Sequence, residues 1–141
     1  MRSPAELTDL FRAQGRKITP QREAVFRALD ANGEHPTAEA VHAAVIAEMP
    51  NVSLRTVYQV LHDLESLGEL AVLDLGTGAA RFDPNVGVAH HHLVCTRCGK
   101  VRDLNALFPS VRVPSGAEQG FTVDTAEVVF RGVCDGCRSD E

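Results

Sequence analysis

Residues 53–83 read SLRTVYQVLHDLESLGELAVLDLGTGAARFD, and the spacing of their apolar positions changes at Gly68. Before Gly68, apolar residues recur at the spacing of an amphipathic helix, which Ser53 can cap. After Gly68, two short strand-like runs flank the glycine-containing turn at residues 76–79, and this pattern predicts a β-hairpin. A helix followed directly by a hairpin is typical of the second half of a winged helix.

Two further helix starts precede this stretch. Thr19 can act as an N-cap, with Pro20 at the first helical position, where its missing N–H costs nothing. Thr37 can cap a second helix, which Pro50 ends. The short turn at residues 50–52 then joins this helix to the next as a helix-turn-helix candidate. We therefore predict a winged-helix domain over residues 1–83, with a short additional amphipathic stretch near its start.

The second half of the chain has the period of strands rather than of helices. The turn-forming residues 84–87 mark the expected domain boundary. Strands are predicted at residues 91–95, 100–104, 121–123 and 127–130. Pro109 and Pro114 argue against a long helix between them. The predicted fold class is α+β: an N-terminal winged helix-turn-helix domain and a small C-terminal α/β domain at residues 84–141.

The four cysteines of the chain occur as two Cys-x-x-Cys pairs. Each pair places two thiolates close together, and two pairs can close a tetrahedral zinc site. Disulfides would need an oxidising compartment, but the N-terminus shows no apolar signal segment, so we expect a cytoplasmic protein. A thioredoxin-like role fits poorly because the region is β-rich. We predict structural zinc bound by Cys95, Cys98, Cys134 and Cys137.

The overall composition does not favour nucleic-acid binding, but the local charges do. The chain of 141 residues has a net charge of -5, whereas most nucleic-acid-binding proteins are basic. However, the third predicted helix presents polar and aromatic groups opposite its apolar side, as a recognition helix requires. Cations near another helix start could contact phosphate. The candidate DNA-binding residues are Arg16, Lys17, Arg22, Ser53, Arg55, Thr56, Tyr58 and Gln59.

Histidines and aspartates form a second group of candidate metal ligands. His90 and His92 project to the same side of a predicted strand, because side chains alternate along it. Asp103, Asp83 and His35 could approach the same ion. Each residue alone would fit a surface or capping role better. As a set without sulfur, they would suit Fe²⁺ or Mn²⁺ and leave a coordination position open.

Together these segments resemble the ferric uptake regulator family almost from end to end. The resemblance is carried, in order and spacing, by residues 18–22, 35–38, 53–58, 81–83, 90–100 and 134–137. It implies a homodimeric, metal-dependent repressor of double-stranded DNA operators, with an N-terminal winged helix and a C-terminal dimerisation domain. Such a protein would not be an enzyme.

Within the family, the chain is most similar to the peroxide-sensing branch, often called PerR. That resemblance implies a regulatory iron or manganese site formed by three histidines and two aspartates: His35, Asp83, His90, His92 and Asp103. Iron-uptake regulators tend to carry glutamate where this chain has Asp83. Residues 121–130 also lack the histidine that metal-uptake regulators commonly supply. By contrast, Gln59 replaces an arginine that many members have.

The resemblance further implies how such a site would respond to peroxide. Iron-dependent oxidation of His35 or His90 would weaken metal binding and release the DNA. A regulator of the same family that senses iron, manganese, zinc or nickel supply is the main alternative. A redox enzyme that uses its dithiols, or a zinc-stabilised domain that binds only protein, would represent other classes.

Overall fold

The structure is a computed structural model that describes residues 1–139. The chain divides into two compact units, residues 1–88 and the residues from 89 onward. In the part of the chain that the structure describes, none of the helices combines the length and apolar character needed to cross a membrane.

Four helices form most of the first unit. They are α1 (Pro4–Ala13), α2 (Pro20–Ala31), α3 (Ala38–Glu48) and α4 (Leu54–Ser66). The predicted caps Thr19, Thr37 and Ser53 are confirmed, since each side chain accepts a hydrogen bond from the backbone N–H three residues later. Ser3 caps α1 in the same way, and Glu6 completes a capping box there. Local hydrogen bonding therefore sets where each helix begins.

The predicted hairpin follows α4. Strand β1 (Ala71–Leu73) pairs antiparallel with β2 (Arg81–Asp83), with Val72 opposite Phe82. The Phe82 N–H also donates to the carbonyl oxygen of Pro36 at 2.9 Å. This bond holds β2 beside the residues that precede α3, so the hairpin belongs to the same packed unit as the helices.

A continuous apolar core stabilises the first unit. Phe11 of α1 and Phe26 of α2 are fully buried and meet edge to face, with ring centroids 5.0 Å apart. Leu61 of α4 and Phe82 of β2 belong to the same cluster. Full burial of one such side chain stabilises the fold by about 1.5–3 kcal/mol. These contacts hold α4 and the hairpin in fixed positions within the unit.

The second unit is built on a small mixed sheet. Its central strand β3 (His91–Cys95) pairs antiparallel with β4 (Val101–Leu104) and parallel with β5 (Val129–Gly132). A short helix, α5 (Asp135–Arg138), follows β5. Residues 105–128 connect β4 to β5, which lie on opposite sides of β3.

That connection differs from the sequence-based prediction. Residues 105–128 are all described and contain no helix or strand, so the strand expected at 121–123 is wrong. Gly116 and Gly120 adopt positive φ angles of 87° and 83°, and Phe121 closes a turn by donating its N–H to the Glu118 carbonyl oxygen at 2.8 Å. These turns, rather than the β-forming side chains of the segment, set its conformation. The last predicted strand is present, displaced toward the C-terminus.

Candidate metal centres and nucleic-acid interface

The four cysteine sulfurs converge in the second unit. Their Sγ atoms all lie within 4.8 Å of one another, and none of the four cysteines forms a disulfide within the described chain. The Cys98 and Cys134 sulfurs are 3.8 Å apart. Tetrahedral coordination with metal–sulfur bonds of about 2.3 Å requires sulfur–sulfur distances of about 3.8 Å. The arrangement therefore fits a four-sulfur metal site.

Hydrogen bonding makes the four thiols chemically unequal. The Cys134 N–H donates to the Cys95 sulfur at 3.4 Å and, together with the Cys98 N–H, lowers the pKa of Cys95 to about 5. Hydrogen bonds with the Cys134 and Cys98 thiol groups raise the pKa of Cys137 to about 12. Because a metal binds thiolate rather than thiol, a cation at this site must displace the protons that remain.

A set of two histidines and one aspartate, also in the second unit, lies on one side of the sheet. His90 Nε2 is 3.3 Å from Asp103 Oδ1, and His92 Nε2 is 3.5 Å from the same oxygen. The register of β3 and β4 places His92 directly opposite Asp103. His91 instead packs its ring against Phe108, with centroids 4.8 Å apart. The backbone thus brings two imidazoles and a carboxylate together.

A second histidine–aspartate pair lies within the first unit. His35 Nε2 is 3.4 Å from Asp83 Oδ2, and the two residues are only 5% and 2% exposed. Arg81 Nη1 donates to the His35 carbonyl oxygen at 3.1 Å, and the Asn85 N–H donates to Asp83 Oδ1 at 2.8 Å. The buried Asp83 carboxylate is thus hydrogen-bonded, as a buried charged group requires. The hairpin therefore holds Asp83 against His35.

Glu127 is a residue of this region that the sequence analysis did not single out. Its Oε1 lies 2.6 Å from Nδ1 of His92. The residue is 35 positions from His92 in sequence, and no local pattern marks it. Only its position next to β5 could have suggested it, because β5 pairs with the strand that carries His92.

The candidate recognition helix is α4. Arg55, Tyr58 and Gln59 are exposed, and Ser53 caps the helix by accepting from the Thr56 N–H at 3.1 Å. The Tyr58 hydroxyl donates to Glu39 Oε1 at 3.3 Å, and desolvation together with this carboxylate raises the pKa of Tyr58. The exposed side chains of α4 thus include a cation, an amide and a phenol, which are groups that can contact bases or phosphates.

Asp63 of α4 binds two of the predicted phosphate-contacting arginines. Arg16 Nη1 lies 2.8 Å from Asp63 Oδ1, and Arg22 Nη2 lies 3.2 Å from Asp63 Oδ2. Gln59 Nε2 donates to Asp63 Oδ1 at 3.2 Å. Lys17, in contrast, is exposed. Asp63 was not among the predicted site residues, and its four-residue spacing from Gln59 was the one local signal.

Comparison with known proteins identifies the family. Residues 13–130 match the ferric uptake regulator family. The transcriptional regulator FurA of Mycobacterium tuberculosis is 33% identical over 138 residues, which cover 97% of this chain and 93% of that protein. The peroxide-responsive repressor PerR of Staphylococcus aureus is 33% identical over 131 residues, which cover 91% of this chain and 86% of that protein.

Solved structures show the same fold. The ferric uptake regulator of Pseudomonas aeruginosa with manganese is 28% identical, with a TM-score of 0.65 over 96% of this chain and 99% of that one. The Helicobacter pylori regulator Fur, 22% identical, has a TM-score of 0.74 over 95% of this chain and 90% of that one. This chain therefore belongs to the ferric uptake regulator family and is a metal-responsive transcriptional regulator.

Proposed function

We propose that the protein is a repressor that senses hydrogen peroxide through iron bound at its histidine–aspartate residues, and that oxidation releases its operator DNA. The observation that carries this proposal is the convergence of His90, His92 and Asp103. Two histidines and one carboxylate, without sulfur, form the donor set of non-haem Fe²⁺ sites that keep open positions. Open positions are what a small oxidant needs to reach the metal.

We further propose that this set and the His35–Asp83 pair serve one regulatory ion, Fe²⁺ or Mn²⁺. Separately, they offer three and two ligands, fewer than the six typical of manganese. Ligands from the DNA-binding domain (1–83) and from the dimerisation domain (84–141) would couple metal binding to the relative position of the two domains. Metal would then select the state that binds DNA.

The response to peroxide would begin at the ligands themselves. Fe²⁺ held by these residues would promote cleavage of the peroxide O–O bond. One oxygen atom would be added to a ring carbon of His35 or His90, the other would leave as water, and the imidazole would supply the two electrons that reduce the peroxide. An oxidised imidazole binds metal weakly, so the regulatory ion would be lost. Without that ion, the DNA-binding state is no longer favoured, and the operator is released.

The remaining parts of the proposal concern zinc, the dimer and the DNA. The four cysteines would bind structural Zn²⁺, which their sulfur spacing fits. A second copy of the chain would cover apolar side chains such as Leu107 and Phe121, which are 92% and 74% exposed. A symmetric dimer would present two α4 helices to two half-sites about one helical turn apart.

The eight DNA-binding candidates would then divide into three groups. Lys17 and Arg55 are exposed and would meet phosphates or base edges directly. Arg16 and Arg22, which share Asp63, would chiefly hold α4 in position. Ser53, Thr56, Tyr58 and Gln59 would complete the contact surface at the start of α4.

The proposal is tested by peptide mass spectrometry and gel shift on the zinc-containing protein, loaded with Fe²⁺ or with Mn²⁺. A duplex selected from a random-sequence pool with the manganese-loaded protein serves as the DNA probe. Peroxide should add one oxygen atom to a peptide containing His35 or His90, and abolish the gel shift, with iron but not with manganese. Oxidation confined to the cysteines would instead indicate a thiol switch. Operator affinity that survives chelation of the regulatory metal would exclude metal-dependent binding.

A regulator of metal supply is the second candidate, and the 28% identical ferric uptake regulator of Pseudomonas aeruginosa, whose structure contains manganese, favours it. In that case, peroxide would leave both histidine peptides unmodified. DNA binding would instead follow the free concentration of iron, manganese, zinc or nickel over the range in which the site fills.

A further inference from the structure

We propose that Glu127 is a positioning residue for the regulatory metal: its carboxylate fixes the tautomer of His92, so that Nε2 is presented as the metal ligand. This inference rests on the proposed metal binding by His90, His92 and Asp103. Glu127 is not itself placed among the ligands. Its effect is exerted through His92.

The hydrogen bond between Glu127 and His92 determines which ring nitrogen carries the proton. An ionised carboxylate only accepts hydrogen bonds, so at 2.6 Å the proton must be on Nδ1 of His92. In a neutral imidazole, Nε2 then carries the lone pair. That nitrogen lies 3.5 Å from Asp103 Oδ1, and the centroids of the His90 and His92 rings are 4.7 Å apart.

Backbone contacts hold Glu127 in this place. The His92 N–H donates to the Val128 carbonyl oxygen at 3.1 Å, and the register of β3 and β5 sets His92 beside Val129. The His92 side chain is only 3% exposed, whereas that of Glu127 is 43% exposed. The carboxylate therefore keeps contact with solvent while it contacts a buried imidazole. In an ordinary surface ion pair, by contrast, both side chains are mobile and no backbone contact fixes their positions.

The neighbouring His91 has the opposite tautomer, which provides an internal reference. The Val128 N–H donates to Nδ1 of His91 at 2.9 Å. A backbone N–H can only donate, so this nitrogen carries no proton, and the proton of a neutral His91 is on Nε2. Two adjacent histidines on one strand thus carry their protons on different nitrogens because each meets a different partner.

Outer carboxylates that accept a hydrogen bond from a metal-binding histidine fix its orientation and raise its basicity, and their loss typically reduces metal affinity about 10–100-fold. We expect a loss of that size for Mn²⁺ in Glu127→Ala. Glu127→Gln keeps an acceptor oxygen, so its loss of Mn²⁺ affinity should be smaller. Glu118→Gln, which changes an exposed carboxylate of the same unit, should leave affinity unchanged.

The test combines two measurements on the full-length zinc-containing protein. Long-range ¹H–¹⁵N correlation at pH 8, before any second metal is added, reports the tautomers of His91 and His92. We expect protonated Nδ1 for His92 in the unsubstituted protein and a shift toward protonated Nε2 in Glu127→Ala. The tautomer of His91 should be the same in both. Calorimetric titration with Mn²⁺ then measures affinity.

Two results would overturn the role of Glu127. One is a His92 that carries its proton on Nε2 in the unsubstituted protein. The other is a large loss of Mn²⁺ affinity in Glu127→Ala with the His92 tautomer unchanged, which would make Glu127 a direct ligand. The tautomer measurement needs no second metal, so it tests Glu127 even if the proposed regulatory function fails in the titration.

Discussion

The two units of the chain are stabilised in different ways. In the first, large side chains such as Phe11, Phe26 and Leu61 are fully buried in one apolar cluster. In the second, Leu107 and Phe121 are largely exposed, and the sulfurs of four cysteines lie within 4.8 Å of one another. The core of the first unit supplies hydrophobic burial by itself, whereas small domains with little buried apolar surface usually need a metal, disulfides or a second copy for stability.

The largest effect is expected from loss of the four-cysteine site. Cys98→Ser removes one sulfur ligand, and metal-binding free energies at such sites, about 10–16 kcal/mol, contribute directly to folding. Circular dichroism and hydrogen exchange should show an unfolded second unit beside an intact helical first unit, with no zinc retained. Thr96→Ser, which changes a neighbouring exposed residue, is the control. Full retention of zinc in the Cys98 variant would contradict the assignment.

A core substitution in the first unit should have a smaller effect, and it should destabilise the first unit rather than the second. Leu61→Ala creates a cavity in a fully buried site and should destabilise that unit by about 2–5 kcal/mol. Zinc content should not change. Chemical denaturation gives the free energy of unfolding, and Ile46→Ala, at a partly exposed position, serves as the control. Equal losses in the two variants would mean that the core does not dominate the stability of this unit.

The exposed and the paired cations should differ in how they affect the salt dependence of DNA binding. Lys17→Gln should reduce the slope of log affinity against log salt by about 0.9, as expected for one lost phosphate contact. Arg22→Gln should change the slope less and lower the melting temperature more, because Arg22 is bound to Asp63. Fluorescence anisotropy at several salt concentrations measures the slopes. Equal slope changes would show that Arg22 also meets phosphate.

The smallest effect is expected at the cap of α4. Ser53→Ala removes the acceptor for the Thr56 N–H and should cost about 1 kcal/mol of stability. Ser53→Asp keeps a side chain that can cap the helix, so this variant should preserve most of the stability. Thermal unfolding of both variants provides the measurement. If the two variants lost the same stability, the cap would have no role, and the start of α4 would be set by tertiary packing alone.

Local patterns in the sequence were sufficient for much of the fold. Thr19, Thr37 and Ser53 begin their helices where predicted, because a cap acts over three residues. The hairpin and the first two strands of the second unit likewise follow from side-chain alternation and turn residues. The paired cysteines could also be recognised as a candidate metal site from the sequence. Each Cys-x-x-Cys places two sulfurs close together through local backbone geometry alone.

Contacts between distant segments could not be read in this way. Residues 121–123 have strand-forming side chains, yet nearby glycine turns leave them outside the sheet. Asp63 and Glu127 were not among the predicted site residues. One gathers two arginines, and the other meets a histidine 35 residues away. The packing of strands and helices determines which residues become such partners. The interaction energy of two charges depends on their distance in space and not on their separation along the chain.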